Sequence, residues 1–506
     1  MFGYLLLFVI AVVSAVAVYA SRASGGSAAW RYTFLYRWSW LRARWGQWRA
    51  AGSVPHRIAS ALAASSPTTP LPPPAELIAW AESFLGTEGK LRHVEVSGDG
   101  LGGGFMGAMF KLLLTWDEDS ADNVDNIDRP RSLVVKTLTP VFARRLSSIL
   151  LGNAREAYFY RNFASNLATL GSATERQEVR SVVPRVYHAD GSWATGDFVV
   201  VMEDLSTTGA RLGSHVLGNQ CWGPVKGGFP AELQTESVGL QMIEQVFAAM
   251  ADVHAAFWRD ESLLGHSWLK AAEWLQGRER ARWELAMDGM RSKWLGIKRT
   301  IEQGKTGVKW SDEVVRAMDD SLAATSWETY QRSFDVTKPT TPFTLCHGDF
   351  HAANILWVPG RERTADDGEG DGARIGSKVY MVDWPEVGIA CPFTELAQFM
   401  ISNASPELRR KHERRLFADY HARLVAKGVC GRTFPLEACW ERYQRGGIER
   451  WLQMLTLMTL FGLPDACVGW FHDQVAAFVH DHHADASAGL KGRSIPLMSA
   501  YALVNL

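Results

Sequence analysis

Two strings in the sequence carry side chains that could do chemistry together. The first is His347-Gly348-Asp349-Phe350-His351-Ala352-Ala353-Asn354. An aspartate, four residues and then an asparagine is a spacing suited to phosphoryl transfer. The carboxylate takes a hydroxyl proton, and the amide, one turn further on, reaches a divalent cation. The second string is VYMVDWPEVG, in which an apolar run ends at Asp383. A second carboxylate there reaches the cation from the other side. Carboxylate and amide oxygens are the hard ligands that Mg²⁺ prefers. Singly, Asp349 and Asp383 are ordinary turn residues and Asn354 an ordinary helix cap. The three in this order point to a site.

HGDFHAANIL followed by VDWPEVG resembles the aminoglycoside phosphotransferase/choline kinase superfamily, and most nearly its CHK-kinase-like, or ecdysteroid-kinase-like, members. The resemblance runs over roughly residues 90 to 480. It implies an α+β, protein-kinase-like fold with a β-rich N-lobe, a helical C-lobe and an ATP cleft between them. By that resemblance Asp349 is the catalytic base, Asn354 and Asp383 hold Mg²⁺, and the acceptor is a small molecule bearing a hydroxyl.

Other residues fall in the order the resemblance requires. Lys136 in LVVKTL takes the place of a strand lysine on the α/β-phosphates; an ammonium in so apolar a strand needs a partner. Glu156 in AREAYFY fits the helix glutamate that positions it. Glu203 and Leu205, in VVVMEDL, fall where a hinge would offer backbone groups to the nucleobase. Gly102, Gly104 and Gly107 space as G-x-G-x-x-G between two strands, where amides free of Cβ can approach phosphate. Glu395 stands where the family usually has Asp and is expected to brace the catalytic loop. His254 reads as a structural hydrogen-bonder. Asp383 is followed by Trp-Pro rather than Phe-Gly, which suits the small-molecule branch better than a protein kinase.

These residues need elements to hold them. Strand-like runs occur at LRHVEVSGDG, MGAMFKLLLTW, SLVVKTL, SVVPRVYHAD and DFVVVMEDL, with a solvated loop over 117–130. Residues 151–167 have helical spacing, with Ala157, Tyr160, Ala164 and Leu167 on one face. Beyond residue 206 helical patterns dominate, as at 240–258 and 448–462, broken by two short motif-bearing strands around a Gly/Asp-rich loop at 359–377. The expected division is 76–205 for the N-lobe, 206–485 for the C-lobe and 486–506 for a tail. The acceptor is expected among the insert 206–340 and the helices after 400. The Trp-rich stretches there read as core. His472, His480, His482 and His483 read as a solvated helix end rather than a metal site.

The chain has 506 residues and a net charge of -1, which gives no support to nucleic-acid binding. Only one stretch is long and apolar enough to cross a bilayer, which excludes a multi-spanning transporter. The six cysteines form no C-x-x-C pair, so zinc spacing is absent and a reducing compartment is the simpler setting.

Charge is unevenly placed. Residues 1–75 hold seven Arg and no Lys, Asp or Glu, which leaves -8 for the remainder. Phe2 to Ala20 is apolar; at 1.5 Å per residue it spans ~28 Å, so residues 1–21 read as a transmembrane anchor, with a signal peptide cleaved near Ala15-Val16-Ala17 as the rival reading. Arginines on its C-terminal side place the catalytic domain in the cytosol. Residues 30–49 mix five Trp with five Arg and read as a segment at the lipid interface, with a surface helix packed on the main domain as the alternative. Residues 51–75, rich in Ala, Ser and Pro, read as a linker. The expectation is a membrane-anchored small-molecule kinase using ATP and Mg²⁺. Its rival is a catalytically inactive, kinase-like membrane scaffold.

Overall fold

Along SLVVKTL successive side chains alternate between two faces, as a strand requires. Leu133 and Val135 are fully buried on one face, while Val134 and Lys136 turn to the other. This alternation explains the N-lobe of the computed structural model, which describes residues 28–63, 70–87, 89–97, 107–117, 129–164, 173–218, 230–362, 374–460 and 462–483. Five antiparallel strands, β1 (Leu91–Ser97), β2 (Gly107–Trp116), β3 (Ser132–Leu138), β4 (Val186–Gly191) and β5 (Phe198–Glu203), form one sheet in the order β1-β2-β3-β5-β4. Register sets Lys136 opposite Met109 on one side and Val200 on the other. These are the five strands expected from the sequence.

The N-terminal region departs from expectation. The anchor expected over residues 1–21 lies outside the described residues. Among the described residues no helix is long and apolar enough to cross a membrane. The Trp/Arg segment is α1 (Ala28–Ala50), and its C-terminal half packs on protein rather than lying free at an interface. Arg42 Nε donates to Ala194 O at 2.9 Å, and Trp40 meets Phe142 edge-on at 5.7 Å. Gly46 permits the approach: a Cβ there would lie 2.8 Å from the Thr195 carbonyl oxygen.

The expected linker is also partly helical, as α2 (Val54–Ala63) and α3 (Pro74–Leu85). Alanine is the strongest helix former, and Pro55 and Pro74 sit in first turns where no hydrogen bond is lost. Ile58, Leu77 and Ala81 bury against Leu133, Val135 and Phe110 on the outer face of the sheet. Arg57 joins the two helices through Glu76 at 2.7 Å.

The single helix expected over 151–167 is divided. An amphipathic helix missed by the sequence reading, α4 (Phe142–Leu151), precedes it and receives α1. It stops at Gly152, whose φ of 74° provides a left-handed cap. The chain restarts as α5 (Arg155–Phe159) and widens into a π-turn over Tyr160–Ala164. A further helix, α6 (Ala173–Val182), leads back to β4.

The C-lobe holds the long helices α7 (Glu236–Ala256), α8 (Arg280–Glu302), α9 (Asp312–Ala324), α10 (Trp327–Ser333), α11 (Pro392–Asn403), α12 (Pro406–Ala426), α13 (Leu436–Arg445), α14 (Ile448–Leu460) and α15 (Asp465–His483). Side-chain caps open several: Thr235 accepts from Val238 N, Ser311 from Val314 N and Ser405 from Leu408 N. The tryptophans of α8 to α10 are core, as expected. Trp283, Trp294, Trp310 and Trp327 are all buried, with Trp283 against Trp327 and Trp294 against Trp310.

Between the helices lie short strands: β6 (Arg211–Leu212), β7 (Thr344–Cys346), β8 (Ile355–Val358), β9 (Arg361–Glu362), β10 (Arg374–Ile375), β11 (Lys378–Met381) and β12 (Gly388–Ala390). β11 pairs antiparallel with β8, and β12 with β7. The segment between β7 and β8 therefore lies beside the segment between β11 and β12. The architecture is α+β, a sheet-built N-lobe on a helical C-lobe.

Candidate active site

β3 and α5 supply the first half of the site. The Lys136 ammonium stands 2.7 Å from Glu156 Oε2 and 2.7 Å from Asp383 Oδ1. Burial opposes the ammonium, yet Asp383 and Glu156 together raise its pKa above the ordinary lysine value. Burial also raises the pKa of Glu156, Lys136 acts against that rise, and the like charge of Asp383 adds to it. One ammonium between two carboxylates leaves one formal negative charge, which suits a cation. Gly107 opens β2 beside the lysine; a Cβ there would lie 3.2 Å from Thr137 O and 3.6 Å from Lys136 Cε. Gly102 and Gly104 lie outside the described residues.

The segment after β7 supplies the second half. Asn354 Nδ2 donates to Asp349 O at 2.9 Å, and Val382 N donates to Asn354 O at 3.0 Å. These bonds tie Asp349, Asn354 and Asp383 into one unit. His347 is fully buried, and burial lowers its pKa, so the ring is neutral. Its Nε2 donates to Val382 O at 3.0 Å, and its Nδ1 accepts from Asp349 N at 3.3 Å. Gly348 has φ 80°, and a Cβ there would fall 2.1 Å from Glu386 O, so only glycine fits.

Asp383 is itself left-handed, at φ 68°. For a residue other than glycine this costs of order 1–3 kcal/mol, a strain that structure retains at functional sites. Trp384 holds it in place. The indole stacks on Phe159 at 4.0 Å, tilts over His347 at 4.3 Å and donates to Met381 O at 3.1 Å. The Asp-Trp pair thus wedges the cleft carboxylate against the helix that carries Glu156.

Asp349 sits between an arginine and a histidine. Arg450 Nη2 donates to its Oδ1 at 2.8 Å, and His351 Nε2 lies 3.5 Å from its Oδ2. Burial pushes the carboxyl pKa up, but Arg450 and His351 prevail and hold it well below the usual range. The Asp349 carboxylate is therefore ionised.

The remaining expected residues are placed as follows. Glu395 braces the loop, as expected: Oε1 accepts Gly348 N at 2.7 Å, and Oε2 faces His254 Nε2 at 3.0 Å. His254 Nδ1 meets Tyr420 OH at 2.8 Å, a structural role. At the expected hinge the Glu203 side chain accepts Arg185 N at 3.0 Å and the Glu203 N donates to Arg185 O at 2.9 Å, while Leu205 is buried. The histidine group is not a solvated end throughout. His480 is exposed, but His472 accepts Ser311 N at 3.0 Å and His482 Nε2 is 3.1 Å from Glu413 Oε1, both buried.

Sequence reasoning missed Arg450, Lys270 and Glu386. No local motif marks the first two. Lys270 was findable only as a buried ammonium in a loop, and it pairs with Glu386, three residues after Asp383.

The donor chemistry fits a nucleotide carrying a hard divalent cation. Asp383 offers a carboxylate that is 44 % exposed, Asn354 an amide, and Lys136 a fixed cation beside a strand start with no Cβ.

A family model agrees with the motifs. The model of the ecdysteroid kinase-like family matches residues 234–428. No curated protein matches. Similar solved structures include a choline kinase from Cryptosporidium parvum Iowa II, at 10% identity and TM-score 0.44, covering 82% of this chain and 97% of that one. An ethanolamine kinase from Plasmodium vivax has 9% identity and TM-score 0.39, with 85% and 95% covered. A choline/ethanolamine kinase family protein from Mesorhizobium loti has 13% identity and TM-score 0.33, with 84% and 99% covered.

Proposed function

We propose that this ecdysteroid kinase-like chain is an ATP-dependent phosphotransferase acting on the hydroxyl of a small molecule. The observation that carries the reading is the Lys136 ammonium, 2.7 Å from both Glu156 and Asp383, on a sheet facing a loop that presents Asp349 ionised.

In this reading Asp383 and Asn354 would hold Mg²⁺, and Lys136 the phosphates. A bound Mg²⁺ supplies charge neutralisation on the transferring group. The chain's own residues do the rest. Glu156 keeps Lys136 aimed into the cleft. Trp384 and the strained backbone of Asp383 fix the carboxylate. Gly107, with Gly102 and Gly104, lets backbone approach phosphate. The backbone around Glu203 and Leu205 meets the nucleobase. Asp349 accepts the acceptor's hydroxyl proton as that oxygen bonds to the γ-phosphorus and the bond to the ADP oxygen breaks. Positioning supplies most of the rate enhancement. The acceptor enters from the C-lobe side, where the insert over 206–340 and α14 converge.

The apolar run 2–20 supports membrane attachment with the catalytic domain cytosolic, on composition alone. Fractionation with high-salt wash tests it: a protein released by salt has no bilayer-spanning segment.

Retention of Lys136, Glu156, Asp349, Asn354 and Asp383 in one geometry favours an enzyme over an inactive scaffold. Thermal shift with Mg-ATP tests this first. An upward shift that EDTA removes is expected, and no shift at millimolar Mg-ATP overturns the enzyme reading. A panel of cholines, sterols and sugars with labelled ATP then identifies the acceptor.

A further inference from the structure

Arg450 lies 101 residues beyond Asp349, on α14, outside the span matched by the family model. Its guanidinium is nonetheless the group placed directly on the candidate base, at 2.8 Å from Oδ1, and the residue is only 5% exposed.

A second layer holds it there. Arg450 Nη1 is 3.9 Å from Glu386 Oε2, and that same oxygen takes the buried ammonium of Lys270. Lys270 cannot drift. Its N donates to Val387 O at 3.2 Å, and Ile389 N donates to its O at 3.0 Å. The next residue, Ala271, is left-handed at φ 67°. Gly388 makes room, since a Cβ there would meet the Lys270 Cβ at 2.7 Å. Arg155 anchors the same loop by donating to Pro385 O at 2.6 Å and Trp268 O at 2.7 Å. Strained or tightly fitted backbone thus appears at two points, Ala271 and Gly388, both supporting a chain of charges that runs from Lys270 through Glu386 and Arg450 to Asp349.

We propose that Arg450 is a positioning residue for the phosphoryl transfer set out above, on which this inference rests. A free aspartate rotates about two bonds and spreads its oxygens over several directions. Arg450 takes Oδ1 and so leaves Oδ2, on the side of His351, to receive the acceptor's proton. The Lys270–Glu386 pair keeps the guanidinium on station. A tie serving only to hold α14 against the loop would have no need to end on the reacting carboxylate. Groups held to about half an ångström of productive geometry owe this to such supporting contacts.

A double-mutant cycle tests it, using the full chain with Mg-ATP as probe and water as the acceptor. Arg450→Met is expected to lower kcat about 30-fold, within the range for misplaced catalytic groups, with KM for ATP changed less than about twofold. Arg450→Lys recovers part of the loss. In an Asp349→Asn background, Arg450→Met is expected to change the residual rate less than about twofold, because the group it acts through is gone. If Arg450→Met does not fold, Glu386→Gln serves in its place. It is expected to lower kcat about fivefold, and again only with Asp349 intact. Equal losses with and without Asp349, in a wild type that turns over ATP, overturn the positioning role and leave the kinase reading standing. A wild type that neither binds nor hydrolyses Mg-ATP overturns both.

Discussion

Two buried charge networks lie in the C-lobe, built from the same residue types and put to different ends. One joins Asp349 to Arg450, Glu386 and Lys270 beside the cleft. The other joins α12 to α13 and α15: Arg409 meets Glu413 at 3.0 Å and also binds Asp481, Tyr443 OH donates to Glu413 at 3.1 Å, and His482 closes on the same carboxylate. In the distal network the Glu413 oxygens are both taken, it sits within regular helices, and among the described residues no left-handed residue adjoins it. In the cleft network Asp349 keeps a side chain 23 % exposed, and left-handed backbone recurs at Gly348, Ala271 and Asp383. Buried charge alone therefore does not mark a site. Charge that is held rigidly and left partly open does.

The sharpest way to break this contrast is Asp349→Asn. Turnover is expected to fall about 1,000-fold, in the range for loss of a general base, while calorimetry finds Mg-ATP affinity within about threefold. Near-normal turnover would make the two networks equivalent. Asp383→Ala comes next. It removes the proposed metal ligand and one partner of Lys136, so turnover drops about 100-fold and Mg-ATP affinity falls with it. Unchanged affinity by calorimetry would reassign Asp383 to structure.

Glu395→Asp sharpens the comparison, because Glu395 is buried like the distal network but touches the loop that carries Asp349. The shorter side chain cannot reach both Gly348 N and His254. A loss of about 2 kcal/mol in denaturant unfolding is expected, with kcat down about tenfold. Stability loss without a rate change would place Glu395 with the distal group. Glu413→Gln is the smallest in rate. Burial raises the Glu413 pKa, but His482 and Arg409 outweigh it and hold it below the ordinary value. A depressed carboxyl stabilises the fold above its unfolded pKa and loses that contribution as pH falls through the folded one. Glu413→Gln should therefore cost about 3 kcal/mol at neutral pH and progressively less below pH 4, as melts across pH would register, with kcat within about twofold.

Much of the cleft was legible because its chemistry is local in the chain. Asp349 and Asn354 lie within one loop, Asp383 ends an apolar run, and Lys136 is a cation stranded in a β-branched strand. The five strands were legible for a similar reason, since alternation is written residue by residue. Arg450 was not, because nothing near it in GGIERWLQ differs from an exposed helix arginine; only packing of α14 brings it to Asp349. The N-terminal region misled in the opposite sense. Trp and Arg suit a lipid interface and a protein surface equally, and Ala with Ser suits a linker and a helix equally. Only the partner decides, and for α1 the partner is α4. The break at Gly152 was obscured because apolar spacing continues across it.

That seating of α1 has a mechanical meaning. Arg42 and Gly46 fasten it to the turn at Ala194–Thr195, and Arg145 of α4 reaches the same turn through Thr195 O and Asp197. From α4 only residues 152–154 separate the clamp from the helix bearing Glu156, and from the turn β5 runs straight to the hinge. A change in the seating of α1 would therefore bear on two elements at once, the helix that carries Glu156 beside Lys136 and the strand that ends at Glu203.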